Sequence, residues 1–298
     1  MIKKLLIILV FIFNINSKVD LIIYSYNRPM QLYALLESIE RYVVGIGKTF
    51  VIYRSANQEF ENKYKEVQEN FTWTEFVVHS HTEPYKYFKP ITMECIFNKE
   101  SNPYFLIAMD DNIVTDFVDL EDAITNMEKF RAFAFFLRLG TNINECFMTK
   151  TKTPVPCFKI FKGIFCWIFK NGSGDWAFPI NHDMTIYRKK DMKESLEKLD
   201  FDGFHNWETR WCQMAADMNK HGLCYERSKI VNITANLVNP TDGNYEQFTS
   251  EWKRKMNDFS TENLLKKFND GLKINIDDFY QINNKAPHIE YEYNFIKR

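Results

Sequence analysis

The sequence predicts an α/β fold built on a mainly parallel sheet with helices on both faces. From about residue 19 onward, short β-rich apolar runs alternate with helical stripes of apolar residues. The 298 residues are 45% hydrophobic and 26% charged, the composition of a packed chain and not of a disordered one. That length suits one large domain, or one domain with a small appendage. Two polar clusters, Ser25–Arg28 and Asp110–Asn112, fall where apolar strands end. Ligands of open parallel sheets bind at that edge.

Each element has its own local signal. Val19–Tyr24 is apolar apart from Asp20, and Asn27 or Arg28 is placed to cap a helix that Pro29 opens. Leu32, Leu35, Leu36, Ile39 and Val43 give that helix one apolar face. Thr49–Tyr53 reads as a strand, Phe60 to Phe71 as a helical stripe and Glu75–Val78 as a third strand. Pro90 is expected to open a helix through Cys95 and Ile96, before a fourth strand at Tyr104–Met109. A helix over 119–130, a strand at Ala132–Leu139 and an irregular insertion at about 141–178 follow. Met184–Tyr187 restores the pattern, with a helix near 191–199 and another carrying Trp207, Trp211, Met214, Ala215 and Met218. Cys224–Ile233 reads as one closing strand, and residues 241–298 as a tail packing on the domain.

The charge balance, 38 basic against 39 acidic side chains, argues against a nucleic-acid partner. The aromatic share of 16% suits a large core and also ring-stacking walls. Residues 1–17 run from Lys3-Lys4 through apolar Leu5–Phe13 to Ser17, the layout of a signal peptide or short membrane tether. The expectation is an exported or secretory-pathway protein (periplasmic, luminal or extracellular), with membrane association through the N-terminus if the segment is retained. A buried first strand is the alternative for the same residues. Cys146, Cys157 and Cys166 lie close enough in sequence for a disulfide, with free buried thiols the equal alternative. Sequons begin at Asn70, Asn171 and Asn232. No phosphate-binding Gly-rich loop and no Gly-x-Ser-x-Gly elbow is present.

Asp110-Asp111-Asn112 offers hard oxygen ligands at the tip of an apolar strand, which suits Mg²⁺ or Mn²⁺ shared with a diphosphate. The same three residues also suit a plain turn or helix cap. His79-x-His81 has no evident third ligand, and His182-Asp183 reads as a local pair. The Gly172–Gly174 loop, with Asp175 and Trp176, is a candidate acceptor-side lid in which Trp176 would offer a stacking surface, or else an ordinary Gly-rich turn with a half-buried Trp.

Tyr26-Asn27-Arg28-Pro29 with Leu35–Ile39, the Asp110-Asp111-Asn112 triplet, and the run Met184–Arg188 through Phe201-Asp202-Gly203-Phe204 to Asn206-Trp207-Glu208 occur in that order. Together they resemble family 2-type glycosyltransferases with the GT-A fold, a Rossmann-like nucleotide-diphospho-sugar transferase fold, over about residues 19–235. The resemblance places a GT-A-like domain at 18–240. It implies transfer of a sugar from a nucleotide-sugar donor to a hydroxyl of a glycan, lipid or protein acceptor, with inversion and a divalent cation (Mn²⁺ or Mg²⁺). Tyr26, Arg28, Asp110 and Asp111 would bind donor, Asp111 and Asn112 the metal, and Asp175, Trp176 and Trp207 the acceptor side. Glu208 would be the base, placed in the first turn of its helix, where the dipole favours the charged carboxylate.

Three positions depart from the family pattern. The second strand ends Tyr53-Arg54-Ser55 where relatives carry an acidic pair. The triplet closes in an amide, and no His lies near Val231-Asn232-Ile233 in sequence. These departures motivate a second hypothesis, a non-catalytic glycan- or nucleotide-binding protein on the same fold.

Overall fold

The computed structural model describes residues 18–98, 102–215, 219–238 and 248–298. Residues 1–17, on which the export expectation rests, lie outside them, as do Met218 and the expected boundary at 240. The first strands are β1 (Val19–Tyr26), β2 (Ile46–Arg54), β3 (Glu75–Val78), β4 (Tyr104–Met109), β5 (Asn112–Val114) and β6 (Ala134–Phe136). Further along are β7 (Lys159–Phe161), β8 (Ile164–Ile168), β9 (Thr185–Arg188), β10 (His221–Tyr225), β11 (Ile230–Ile233) and β12 (His288–Ile289). Nine of these form one sheet in the order β7-β8-β10-β6-β9-β4-β1-β2-β3. The pairings make every strand in it except β8 and β9 run the same way, so the sheet is mainly parallel. A smaller sheet, β12-β11-β5, leans against it.

Helices α1 (Pro29–Tyr42), α2 (Gln58–Asn70), α4 (Leu120–Phe130) and α8 (Thr261–Asn269) pack on one face of the sheet. On the other lie α3 (Pro84–Phe97), α5 (Lys189–Lys198) and α6 (Phe204–Ala215); a short α7 (Ser250–Lys255) precedes α8. The period of two along β1 shows why both faces must be covered. Val19, Leu21 and Ile23 enter one apolar cluster, and Ile22 and Tyr24 the other. From the tail, Phe268, Ile274, Phe279 and Tyr293 join the first cluster.

Three details differ from the sequence reading, and the cysteines follow the free-thiol alternative. Pro90 sits inside α3, which Pro84 opens, so the helix begins a turn and a half earlier than expected. Cys224–Ile233 is two strands, β10 and β11, and they belong to different sheets. The insertion is not wholly irregular, because β7 and β8 extend the main sheet. All six cysteines are free thiols. Among the described residues, no helix is long and apolar enough to cross a membrane.

At the end of β1 remote from its ligand edge, Asp20 is wholly buried and paired with Lys189 at 2.6 Å. It also accepts the backbone N–H groups of Lys48 and Asn102 and the Asn102 amide. This one carboxylate ties β1 to β2, the start of α5 and the turn into β4. Removing one partner of a buried pair leaves an uncompensated charge. Asp20→Ala is therefore expected to lower unfolding free energy by about 3–5 kcal/mol, read from urea midpoints.

Candidate active site

The C-terminal ends of β1 and β4 meet at a buried guanidinium. The turn from β1 to α1 is made by Asn27 at φ 55, a left-handed conformation that Asn tolerates, and its Oδ1 accepts the Ala56 N–H at 2.7 Å. This turn carries Arg28 inward. Its Nη1 donates to Asp110 Oδ1 and Asp111 Oδ2, both at 2.9 Å. Its Nε donates to Asn236 Oδ1 at 2.8 Å and its Nη2 to the Asn236 carbonyl at 2.6 Å. Burial works against the Arg28 charge, but Asp110 and Asp111 outweigh it and shift its pKa upward. All three guanidinium nitrogens are thus engaged by the protein. This corrects the expectation that Arg28 lines the nucleotide site, because it has little left to offer a diphosphate.

The triplet divides along the same lines. Asp110 is buried, and besides Arg28 it accepts Ser25 Oγ at 2.8 Å and the Tyr26 N–H at 3.3 Å. Burial pushes its pKa up to about 6, against the pull of Arg28 and with help from Asp111. Asp110 is an internal clamp and not a donor ligand. Asn112 is fully buried; its Oδ1 accepts the Met109 N–H and its Nδ2 donates to Asp183 Oδ1 at 2.9 Å. That overturns Asn112 as an outward metal ligand. Asp111 alone keeps an opening, with its side chain 14% exposed.

From Asp111 a polar chain crosses to the far side of the rim. Asn232 Nδ2 donates to Asp111 Oδ1 at 2.8 Å and to Asp183 Oδ1 at 3.3 Å. β12 pairs beside β11 in a register that sets His288 opposite Asn232, and His288 Nε2 lies 3.5 Å from Asp183 Oδ2. The statement that no His lies near is therefore true of the sequence and not of the fold. Burial opposes ionisation of Asp183, but His288, Arg138 and the amides of Asn112 and Asn232 hold its pKa below the usual carboxylate value. Arg138, just beyond β6, is buried and binds Asp175 Oδ1 at 2.6 Å.

Glu208 completes this cluster from α6. It is the fifth residue of the helix and not in its first turn, so the expected dipole stabilisation is weak. Burial pushes its carboxyl up to about 7; Asp183 and Asp175 act in the same direction, and Arg138 opposes them. Asp183 and Glu208 are thus two carboxyls driven apart, one ionised and one poised near neutrality, the pattern of an acid–base pair.

The acceptor-side tryptophans are corrected. Trp176 is fully buried, its indole N–H donating to the Ile143 carbonyl and its ring set edge-on to Trp167 at 5.0 Å. Trp207 is fully buried between Phe201 and Trp211, stacked at 4.8 and 5.6 Å. Neither offers a ring face to a sugar. Tyr26 does keep part of its ring accessible, with the Arg54 guanidinium 4.2 Å from the ring centroid. Arg54 stands where the resemblance expects an acidic pair.

The structure brings together Asp111, Asp175 and Glu208 with Arg138, Asn236 and His288, which the sequence did not single out, and with Asn232, read there only as a sequon. Asn232 meets Asp111 across 121 positions of the chain, and no local spacing reveals such a contact. Asp183, read as a local partner of His182, instead faces Asn112, Asn232 and His288. His79 directs Nε2 to the Pro84 carbonyl, a local contact at the start of α3. Asn232 is buried, so its sequon is closed to modification in the folded chain.

Several buried polar atoms in this region lack a partner: Arg138 Nε, Asn181 Nδ2, His182 Nε2, Trp207 Nε1 and Asn232 Oδ1. Such atoms are costly unless a ligand or water completes them. For a divalent cation, Asp111 is the carboxylate of the triplet that keeps an opening, and its oxygen is of the right chemistry; Asn232 turns its Nδ2 and not its Oδ1 toward Asp111 and Asp183. Among the described residues, no group of three or more His, Cys, Asp or Glu gathers to hold a metal.

No family model matches the chain, and no curated protein matches it. Solved structures show low likeness. S. aureus TarS is 14% identical with a TM-score of 0.42, over 69% of this chain and 36% of that one. The Pyrobaculum calidifontis mannosyltransferase PcManGT, solved with GDP-Man and Mn²⁺, is 10% identical at TM-score 0.39, covering 69% and 53%. The 4-diphosphocytidyl-2C-methyl-D-erythritol synthase of Anaerococcus prevotii is 14% identical at TM-score 0.40, covering 76% and 93%. This chain spans about a third of the TarS chain.

The Glu208 environment has a consequence for stability. Its folded pKa is raised from 4.5 to about 7, so the folded state binds more protons than the unfolded one across that window. Stability from this group therefore falls as pH rises from about 4.5 to 7. Glu208→Gln should be more stable than wild type at pH 8, on the order of 2 kcal/mol, with the gap closing toward pH 4. Urea titrations at the two pH values measure it.

Proposed function

We propose that the protein is a GT-A-type glycosyltransferase that moves a sugar from a nucleotide-sugar to an acceptor hydroxyl. The observation that carries this reading is the Glu208 carboxyl, poised near neutral pH beside ionised Asp183 and Arg138. Glu208 is placed to take the acceptor proton as the hydroxyl oxygen attacks the anomeric carbon, while the bond from that carbon to the diphosphate breaks. A single displacement of this kind inverts the anomeric centre. General-base help is typically worth ~10²–10⁴-fold in rate.

Arg138 and Asp175 hold the base side together, and Asp183 keeps a fixed negative charge next to the base. Tyr26 and Arg54 offer the nucleotide a ring and a cation at the other end of the edge. A divalent cation would be held by Asp111 together with the donor's own phosphate oxygens, and would neutralise charge on the leaving diphosphate. One observation favours the non-catalytic alternative: Arg28, Asp110 and Asn112 are engaged internally, so few groups remain for the diphosphate.

Calorimetry with a panel of nucleotide-sugars and Mn²⁺, followed by transfer and hydrolysis assays on any binder, tests both readings. Glu208→Gln is expected to lower turnover ~10²–10⁴-fold with donor affinity changed less than about threefold. Wild-type rate should rise as pH passes about 7, where Glu208 loses its proton. Asp111→Ala should remove the Mn²⁺ enhancement of donor binding. Retained turnover in Glu208→Gln removes the base assignment. Binding without turnover in any condition selects the non-catalytic protein, and no binding across the panel rejects both.

A further inference from the structure

The β7–β8 hairpin stands at one end of the main sheet, far in sequence order from the site residues on β1 and β4. Its turn is Lys162-Gly163, both at positive φ (47° and 81°), as tight two-residue hairpins require. A lysine is an unfavourable choice at such a position, where Asn, Asp or Gly are the usual residues. Among the described residues, nothing beyond its own chain neighbours lies within 4 Å of where a Gly163 side chain would start, so the tip projects away from them.

Beside the turn, Ile160 is 65% exposed and Phe161 39% exposed. Lysines accompany the Phe161 face. Lys129 Nζ lies 3.5 Å from the Phe161 ring centroid and Lys162 Nζ 5.8 Å, and exposed Lys159 shares that face of β7, with Ile160 on the opposite face of the same edge strand. Phe130 packs edge-on to Phe161 at 5.7 Å, extending the aromatic surface. Between Cys146 and Gly174 the sequence carries Lys150, Lys152, Lys159, Lys162 and Lys170 and no acidic residue. Glu128, next to Lys129, is engaged by Arg188 and Tyr104.

We propose that this hairpin docks the protein on an anionic lipid surface, with Ile160 and Phe161 entering the headgroup boundary and Lys129, Lys159 and Lys162 facing lipid phosphates. Exposed apolar and aromatic side chains on the two faces of a projecting hairpin edge, with lysines beside the aromatic one, have the chemistry of an interfacial anchor. A soluble polyanion would use the lysines but leave Ile160 without a role. A second copy adding to the β7 edge would bring like charges together, the arrangement that protects edge strands from pairing. The inference does not depend on the proposed transferase activity.

The test uses the full chain, residues 1–17 included, with vesicles of phosphatidylcholine with and without phosphatidylglycerol. A local reporter, Ile160→Trp, isolates the hairpin from any other membrane contact. Its added fluorescence should be quenched by brominated acyl chains in phosphatidylglycerol vesicles and not in phosphatidylcholine alone. Lys162→Glu should weaken binding to the anionic vesicles about fivefold or more, and Ile160→Ser about tenfold, with unchanged thermal midpoints. Added salt should weaken wild-type binding. No quenching at position 160 overturns the proposal. So does Ile160→Ser binding as wild type while heparin competes for the lysines, which selects a soluble polyanion. Self-association that Lys162→Glu abolishes or enhances, with no vesicle binding, selects a second copy.

Discussion

The buried guanidinium of Arg28 is the constraint around which the ligand edge is arranged. A charge removed from water must be paired and hydrogen-bonded, or it is lost or destroys the fold. Arg28 meets that demand with the carboxylates of Asp110 and Asp111 and two oxygens of Asn236. In doing so it fixes the end of β1, the end of β4 and the segment after β11 in one place. Tyr64 on α2 adds a fourth element, its hydroxyl bonded to Ser25 and accepting the Arg28 N–H. The first turn of α1, the opening of Asp111 and the seat of Asn236 all follow from that one network.

Fixing Asp111 has consequences across the rim. Asn232 can bridge Asp111 and Asp183 only because β11 runs antiparallel to β5, which sets Asn232 opposite Asn112. The same strand receives β12 on its other side and with it His288. Asp183 then remains ionised in a buried place, and its charge joins burial in raising the pKa of Glu208. Electrostatic order thus passes from the arginine that precedes α1 to a carboxyl on α6. Among the described residues, Arg138 Nε and Asn232 Oδ1 are buried in this network without a hydrogen-bond partner.

Much of the scaffold is legible in the sequence because its signals are local. The apolar run of β1, Pro29 at the start of α1, and the stripe Leu32, Leu35, Leu36 and Ile39 each need only neighbouring residues to be understood. Glu75–Val78 and Tyr104–Met109 fall where the apolar pattern puts them. Pro90 misleads for a matching reason. A proline suggests a helix start, but Pro84 supplies that start and Pro90 lies within the helix. Likewise, Cys224–Ile233 is apolar enough to read as one strand, and only the pairing partners divide it between two sheets.

The order and kind of the elements, the two-sided covering of the sheet and the polar groups at strand ends can all be read from the chain without a fold. Periodicity and strand-end chemistry are properties of short windows, so local residues suffice. The role of each polar group emerges only when the chain is folded. Folding turned Arg28 and Asp110 inward, buried Trp176 and Trp207, and brought Arg138, Asp183 and His288 to Glu208 or its neighbours. Direction, burial and ionisation depend on what arrives from distant parts of the chain, and no local pattern carries that information.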